Sequence, residues 1–379
     1  MKDNHLKIIT VVGTRPEIIR LSRTMTLLDQ YTNQVIVHTG QNYDYELNEI
    51  FWKDLELRKP DHFLEINTSS LGNAVGDIIR KTEEILKKEN PDALLVLGDT
   101  NSCLSAYMAK RMHIPVFHME AGNRSFDLNV PEEVNRKIID HIADYNLVYT
   151  EHARRHLISE GLQHRRIYLT GSPMKEVLNY YLPKIQKSVI LEKLKLKKNK
   201  YFLVSAHREE NIDNPANLQQ ILSVLQKLEE KYKLPIIVST HPRTRKMLEK
   251  LDKIKFNKKI HFLKPFGFLD YIFLQQNACC TLSDSGTISE ESSILNFPAI
   301  SLRESMERPE AQDTGSIILT GFDSSIVLDS IAFAIKERQN RKSKNIPADY
   351  DISDTSWRVL KLIMGNTKLS NKWWGINKS

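Results

Sequence analysis

Three cysteines in 379 residues, at 103, 279 and 280, are too few and wrongly spaced for a disulfide framework or a CxxC metal site. Their number is odd and two are adjacent in an apolar run, which fits buried thiols in a reducing compartment; a cytoplasmic location is expected. Short signatures are missing as well. No GxGxxG follows the first apolar run, and the chain has no GxxxxGK[ST], HExxH or GxSxG. NAD-dependent, P-loop and zinc-hydrolase chemistry all weaken, and neither a metal nor a cofactor is expected. No apolar stretch is long enough to cross a bilayer. The polar start, Met1 to Lys7, with only Ile8 to Val12 behind it, does not make a signal peptide, so no membrane insertion is expected.

What is present describes a folded protein. Hydrophobic residues make up 41% and charged residues 27%, far from a disordered composition. A chain of this length exceeds what one core accommodates, so two domains of roughly 150 to 200 residues are expected. The net charge of +7 suits an anionic ligand. Many of its lysines, however, fall in Lys193 to Lys200 and Lys253 to Lys259, which read as solvated faces, and no nucleic-acid partner is expected.

Short β-branched runs alternate with longer amphipathic segments. Lys7 to Val12, Gln34 to His38, Ala93 to Leu97, Pro115 to Met119 and Asn146 to Thr150 read as buried strands, with helices over segments such as Gly72 to Glu89 and Pro131 to Ala143. The alternation restarts with Tyr201 to Ala206, Pro235 to Thr240, Ile260 to Lys264, Cys279 to Ser283 and Ala299 to Leu302. The fold class expected is therefore α/β, two doubly wound Rossmann-like domains in series. Thr170-Gly171-Ser172-Pro173 punctuates the pattern. The expected division is 1–171, 172–354 and a last segment, 355–379, whose helix Thr355 to Met364 returns to the first domain.

In open α/β sheets ligands bind beyond the carboxyl ends of the strands. Gly13-Thr14-Arg15-Pro16-Glu17 follows the first strand and opens a helix, offering backbone N–H groups and a guanidinium to an anion. Gly98-Asp99-Thr100-Asn101-Ser102, His118-Met119-Glu120-Ala121-Gly122 and Val130 to Arg136 follow in turn. Asp99 alone reads equally well as a helix N-cap. In company it is one of three carboxylates at one rim, with Glu120 and one of Glu132 and Glu133; Glu133 suits the helix N-terminus. In the second half, His207-Arg208-Glu209-Glu210-Asn211 ends one strand and Ser239 to Arg243 the next. Ser283 to Glu291 supplies hydroxyls, a glycine and a helix N-terminus suited to a diphosphate, with Glu291 placed for ribose hydroxyls. Arg303 and Glu307-Arg308-Pro309-Glu310 add positive charge.

The motifs GTRPE (13–17), GQNYDYELN (40–48), GDTNS (98–102), HMEAG (118–122), PEEVNR (131–136), AHREEN (206–211), SDSGTISEE (283–291) and ERPEA (307–311) together resemble the non-hydrolysing UDP-N-acetylglucosamine 2-epimerases, in the same order and over nearly the whole chain. The resemblance implies a glycosyltransferase-B-like pair of domains with an interdomain cleft, UDP held mainly by the second and the sugar against the first. It associates Asp99, Glu120, Glu132 and His207 with catalysis, and Arg15, Ser285, Glu291 and Arg308 with the nucleotide. Arg20, Gln41, Arg136 and Gly286 complete the substrate-binding set; Arg20 stands where many members carry lysine. It also implies a homodimer. Glu120 to Asp127, with Asn123-Arg124 and Phe126-Asp127 after the glycine, resembles the branch that makes UDP-N-acetyl-L-fucosamine from UDP-2-acetamido-2,6-dideoxy-L-talose for capsule and O-antigen. UDP-N-acetylglucosamine is the alternative substrate.

The C2 hydrogen of such a sugar is not adjacent to a carbonyl, so a carboxylate cannot simply remove it. Loss of UDP from C1 as C2 is deprotonated gives a 2-acetamidoglycal, and re-addition with a proton to the other face inverts C2. Arginines, a histidine and a helix N-terminus stabilise the departing diphosphate, and several carboxylates serve as acids and bases. A UDP-sugar glycosyltransferase of the same architecture, a hydrolysing epimerase and a silent nucleotide sensor are the rival readings.

Overall fold

The structure, a computed structural model, describes residues 5–40, 45–127, 130–206, 208, 211, 214–240, 244–245, 247, 257–340 and 346–376. The chain divides into two compact units, Met1–Tyr180 with Asp349–Ser379, and Tyr181–Ala348. Among the described residues no helix is long and apolar enough to cross a membrane.

The first unit holds a parallel sheet of β1 (Lys7–Val12), β2 (Asn33–His38), β3 (His62–Phe63), β4 (Ala93–Leu97), β5 (Val116–Ala121), β6 (Tyr145–Val148) and β7 (Ile167–Leu169), in the order β3-β2-β1-β4-β5-β6-β7. Strands covered on both faces read as unbroken apolar runs, and Ala-Leu-Leu-Val-Leu of β4 is buried throughout. Ile9, Val11, Val35, Val37, Leu94 and Val96 form one face of the core against Ala74, Ile78 and Leu86 of the helix Leu71–Glu89. The last helix, Thr355–Trp373, packs on the helix Arg15–Tyr31 and buries Val359, Leu360 and Ile363. Its first residues are pinned: Thr355 Oγ1 donates to the carbonyls of Thr170 and Ser172, each at 3.2 Å, and Ser356 N donates to Glu176 at 2.9 Å. These bonds carry the unit past residue 171 and bring the chain back to it by Asp349.

The second unit repeats the plan with β8 (Phe202–Ser205), β9 (Ile236–Ser239), β10 (Ile260–Leu263), β11 (Cys280–Ser283), β12 (Ala299–Ser301) and β13 (Ile318–Leu319), ordered β10-β9-β8-β11-β12-β13. Phe202, Val204, Cys280, Leu282 and Ile300 meet the helices Pro215–Tyr232 and Ser324–Asn340. Both sheets reverse their order beside their first strand, between β1 and β4 and between β8 and β11. The loops leaving those strands therefore flank a switch point, where doubly wound folds place ligands.

The structure differs from the expectation in its edges. Strands β3, β7 and β13 are two or three residues long, too short to leave a periodic signal. Strand β6 stops at Val148, because Thr150 caps the helix Glu151–Ser159 by accepting from Ala153 N at 3.2 Å. Cys103 and Cys280 are buried and Cys279 half-buried; burial pushes the Cys103 thiol up.

Candidate active site

In the first unit the switch point is organised by a carboxylate that the sequence reading quoted but gave no role. Glu17, buried, accepts from Gly13 N at 2.7 Å, Thr14 Oγ1 at 2.9 Å, Thr100 Oγ1 at 2.5 Å and Ser102 Oγ at 2.9 Å. Burial raises its carboxyl above the usual range, and the bonds from Thr100, Gly13, Ser102 and Thr14 offset only part of that. The turn after β1 and the turn after β4 are thus sewn together around Asp99. The signal was available: Thr14-x-x-Glu17 has the spacing of a capping box.

Asp99 leaves β4 beside two side chains of the helix Pro131–Ile142. Arg136 Nε donates to its Oδ2 at 2.5 Å, and Asn135 Nδ2 donates to its carbonyl at 2.8 Å. Arg136 also donates to Glu133 at 3.3 Å. Glu133 is fully buried and accepts from Ser125 N at 3.0 Å, so it braces the segment after β5. Glu132 stands half-buried in the first turn of the same helix.

Glu120, from β5, is 9% exposed and ion-paired with Arg20, itself buried. Asn123 Nδ2 donates to its other oxygen at 3.2 Å. A Cβ added to Gly98 would lie 3.6 Å from Glu120 Oε2, which sets this carboxylate beside the end of β4 and one residue from Asp99. Arg15, half-buried, has its guanidinium 5.5 Å from the Phe51 ring centroid. Two carboxylates, Asp99 and Glu120, thus occupy the ends of neighbouring strands, each held by an arginine. Arg20 and Arg136, expected on the substrate, are engaged with them. Gln41 lies outside the described residues.

The second unit is stitched in the same manner. Asp284, fully buried after β11, accepts from Arg208 N and from Asn211 Nδ2, both at 2.9 Å, joining the β8 and β11 loops. Ser285 and Gly286 follow; Ser285 Oγ lies 3.0 Å from Thr287 Oγ1, at the start of the helix Ile288–Leu295. Glu307 receives Arg208 at 3.3 Å and Arg303 at 3.1 Å, and a Cβ on Gly286 would be 3.6 Å from it. Buried Arg308 stands 3.6 Å from buried Glu290. Three guanidiniums paired with carboxylates, together with hydroxyls at a helix N-terminus, are groups of the kind that suit a phosphate. Glu291 is buried and accepts from Gln275 Nε2 at 2.7 Å. His207 lies outside the described residues.

The profile of the family described as UDP-N-acetylglucosamine 2-epimerase matches residues 27–364. The chain belongs to that family. A solved UDP-N-acetylglucosamine 2-epimerase from Rickettsia bellii is 47% identical, with a TM-score of 0.91 over 98% of this chain and 100% of that one. The Methanocaldococcus jannaschii UDP-GlcNAc 2-epimerase, solved in complex with UDP-GlcNAc and UDP, is 34% identical with a TM-score of 0.88, over 95% of this chain and 100% of that one. A UDP-2,3-diacetamido-2,3-dideoxy-D-glucuronate 2-epimerase from Pseudomonas aeruginosa is 32% identical over 86% of this chain and 91% of its own. This family member is accordingly an isomerase, a UDP-sugar 2-epimerase. The relatives are named for different sugars. The stretch 122–127 follows directly on Glu120 and Ala121. There Arg124 is buried in a structural pin, while Phe126 is 75% exposed, has a left-handed backbone at φ 55° and stands edge-on to His156 at 5.2 Å.

Proposed function

We propose that the reaction is the C2 inversion of UDP-2-acetamido-2,6-dideoxy-L-talose to UDP-N-acetyl-L-fucosamine, a surface-polysaccharide precursor, by elimination and re-addition of UDP. The observation that carries the chemistry is the placing of Asp99 and Glu120 at adjacent strand ends, each against a guanidinium. In the first half-reaction a carboxylate takes the C2 proton while the C1–O bond breaks; the products are a 2-acetamidoglycal and UDP. In the second, the C1–O bond reforms and an acid returns a proton to the opposite face of C2. Asp99, Glu120 and Glu132 are the acids and bases of this scheme. Arg15, Ser285, Gly286, Arg308 and His207 hold the diphosphate and stabilise the charge it gains, with Glu291 at the nucleotide; fixed donors and cations of this kind are the largest catalytic contribution to expect. Opposite faces require more than one proton donor or acceptor.

The 6-deoxy substrate is supported by the Asn123 to Asp127 run and by Phe126, whose exposed ring offers an apolar surface for a methyl group. The second reading, UDP-N-acetylglucosamine, is favoured by the names of the relatives above. Incubating both nucleotide sugars separately with the enzyme in heavy water, followed by NMR, decides: deuterium at C2 without an acceptor sugar identifies epimerisation, and the sugar that exchanges faster is the substrate. Phe126→Ala with an unchanged sugar preference removes Phe126 from specificity. Asp99→Asn, Glu120→Gln and Glu132→Gln are expected to keep UDP affinity and lose turnover; near-normal turnover in all three defeats the acid–base assignment.

A further inference from the structure

Glu120 sits on an irregular backbone. Its φ is 65°, in the left-handed region, and the pairing of β5 with β6 slips there: Met119 faces Leu147 and Ala121 faces Val148, leaving Glu120 as an extra residue. Such a bulge re-aims a side chain at a strand end. For a non-glycine residue the conformation costs about 1–3 kcal/mol, so its surroundings must hold it.

The surroundings are specific. Asp140, on the helix Pro131–Ile142 and without solvent exposure, accepts from Gly122 N with both carboxylate oxygens at 3.2 Å, two residues past the bulge. His118, two residues before it and equally buried, has Nδ1 3.0 Å from Asp140 Oδ1 and Nε2 2.8 Å from the carbonyl of Gly98. Arg124 Nη1 donates to Asp140 Oδ2 at 2.7 Å, and its Nε and Nη2 grip Glu160 at 2.8 and 2.7 Å. On the far side, His156 Nδ1 is 3.0 Å from the carbonyl of Gly122. Burial alone would lift the Asp140 carboxyl, but His118 and Arg124 outweigh it and hold it below the usual range. One anion thus binds the chain on both sides of Glu120, and through His118 ties it to the turn that carries Asp99.

We propose that Asp140 is the positioning residue of Glu120: it clamps residues 118 and 122 so that the intervening bulge points the Glu120 carboxylate at its working place. Asp140 touches neither Glu120 nor Arg20 in the described contacts; it acts through the backbone. The proposal rests on the role given to Glu120 above.

The test is a double-mutant cycle in the full-length enzyme. Asp140→Asn keeps the shape and removes the charge. It is expected to lower kcat about tenfold or more with KM within about twofold, since misplacement of about 1 Å costs on the order of a hundredfold. In a Glu120→Gln background the same change is expected to cost less than about twofold, because the group it positions is already gone. If Asp140→Asn does not yield folded protein, His118→Gln, which still reaches the Gly98 carbonyl but abandons Asp140, is expected to show the same dependence on Glu120. Equal losses in both backgrounds, or no loss in either, overturn the positioning role alone. Full turnover by Glu120→Gln itself overturns the acid–base reading, and this proposal with it.

Discussion

Gly122→Ala offers a graded measure of how tightly the segment after Glu120 is built. At φ 80° any side chain carries left-handed strain of about 1–2 kcal/mol. Space adds to it: the new Cβ would lie 2.4 Å from Ala153 O and 3.0 Å from Leu157 Cγ. Relieving the carbonyl contact to 3.0 Å, closer than nearly all real Cβ contacts, already requires the helix Glu151–Ser159 to withdraw by about 0.6 Å. Overpacking of that kind costs about 1–3 kcal/mol. The total, about 2–5 kcal/mol, corresponds to a fall in Tm of roughly 5–15 °C for a unit of this size. Turnover is expected to fall about tenfold as well, scaled from the hundredfold that 1 Å costs. The control is Gly161→Ala, where φ is 88° and no atom lies within 4 Å of the added Cβ. It should show the backbone term alone, about 1–2 kcal/mol, and normal turnover. Thermal unfolding and C2 deuterium exchange of the two variants supply both readouts. Equal Tm losses would refute the contact argument; a Gly122→Ala enzyme with undiminished turnover would refute the link to Glu120.

Arg20→Met leaves Glu120 buried without its cation and is expected to cost about 3 kcal/mol in urea unfolding, most of it recovered in the Arg20→Met/Glu120→Gln double variant. A single variant within about 0.5 kcal/mol of the parent contradicts this. Glu17→Ala orphans the fixed Gly13 N–H and removes an acceptor shared by Thr14, Thr100 and Ser102, the last two still bonded to each other at 2.9 Å, for an expected loss of about 2 kcal/mol together with reduced turnover from the loosened Asp99 turn; unchanged unfolding argues against the stitch. Burial lowers the His38 imidazole from 6.5 to about 4. The unfolded chain therefore binds this proton first, so the associated stability, about 3 kcal/mol, is complete above pH 6.5 and is lost as pH falls toward 4. His38→Asn, which retains an acceptor for Gly40 N, should flatten that part of the stability–pH curve; an unaltered slope assigns it elsewhere.

Much of this was legible because the physics is local. Runs such as Lys7–Val12 and Ala93–Leu97 announce strands buried on both faces, and polar residues directly after them announce the rim, which is how Asp99 and Glu120 stand out. Strand β13, two residues at a sheet edge, carries no such pattern. Partnerships across the chain were silent too: nothing at Arg20 points to a carboxylate a hundred residues on. Asp140 reads as one more acid on an amphipathic helix, and only the fold turns it inward, under Gly122. Glu133 stands in the first turn of its helix as its position suggests, but its bonds from Ser125, eight residues upstream, leave no local signal. The bulge at Glu120 is invisible in a run, His-Met-Glu-Ala, that simply reads as extended.

The return of Thr355–Trp373 to the helix Arg15–Tyr31 has a consequence for biogenesis. Emerging from the ribosome, the nascent chain would normally complete its leading half first. Here that half waits for its closing helix until the inserted half already possesses all its strands. The side of the helix Arg15–Tyr31 that it covers must therefore stay open while the insert is made, and chaperone dependence during expression should centre there rather than on the insert.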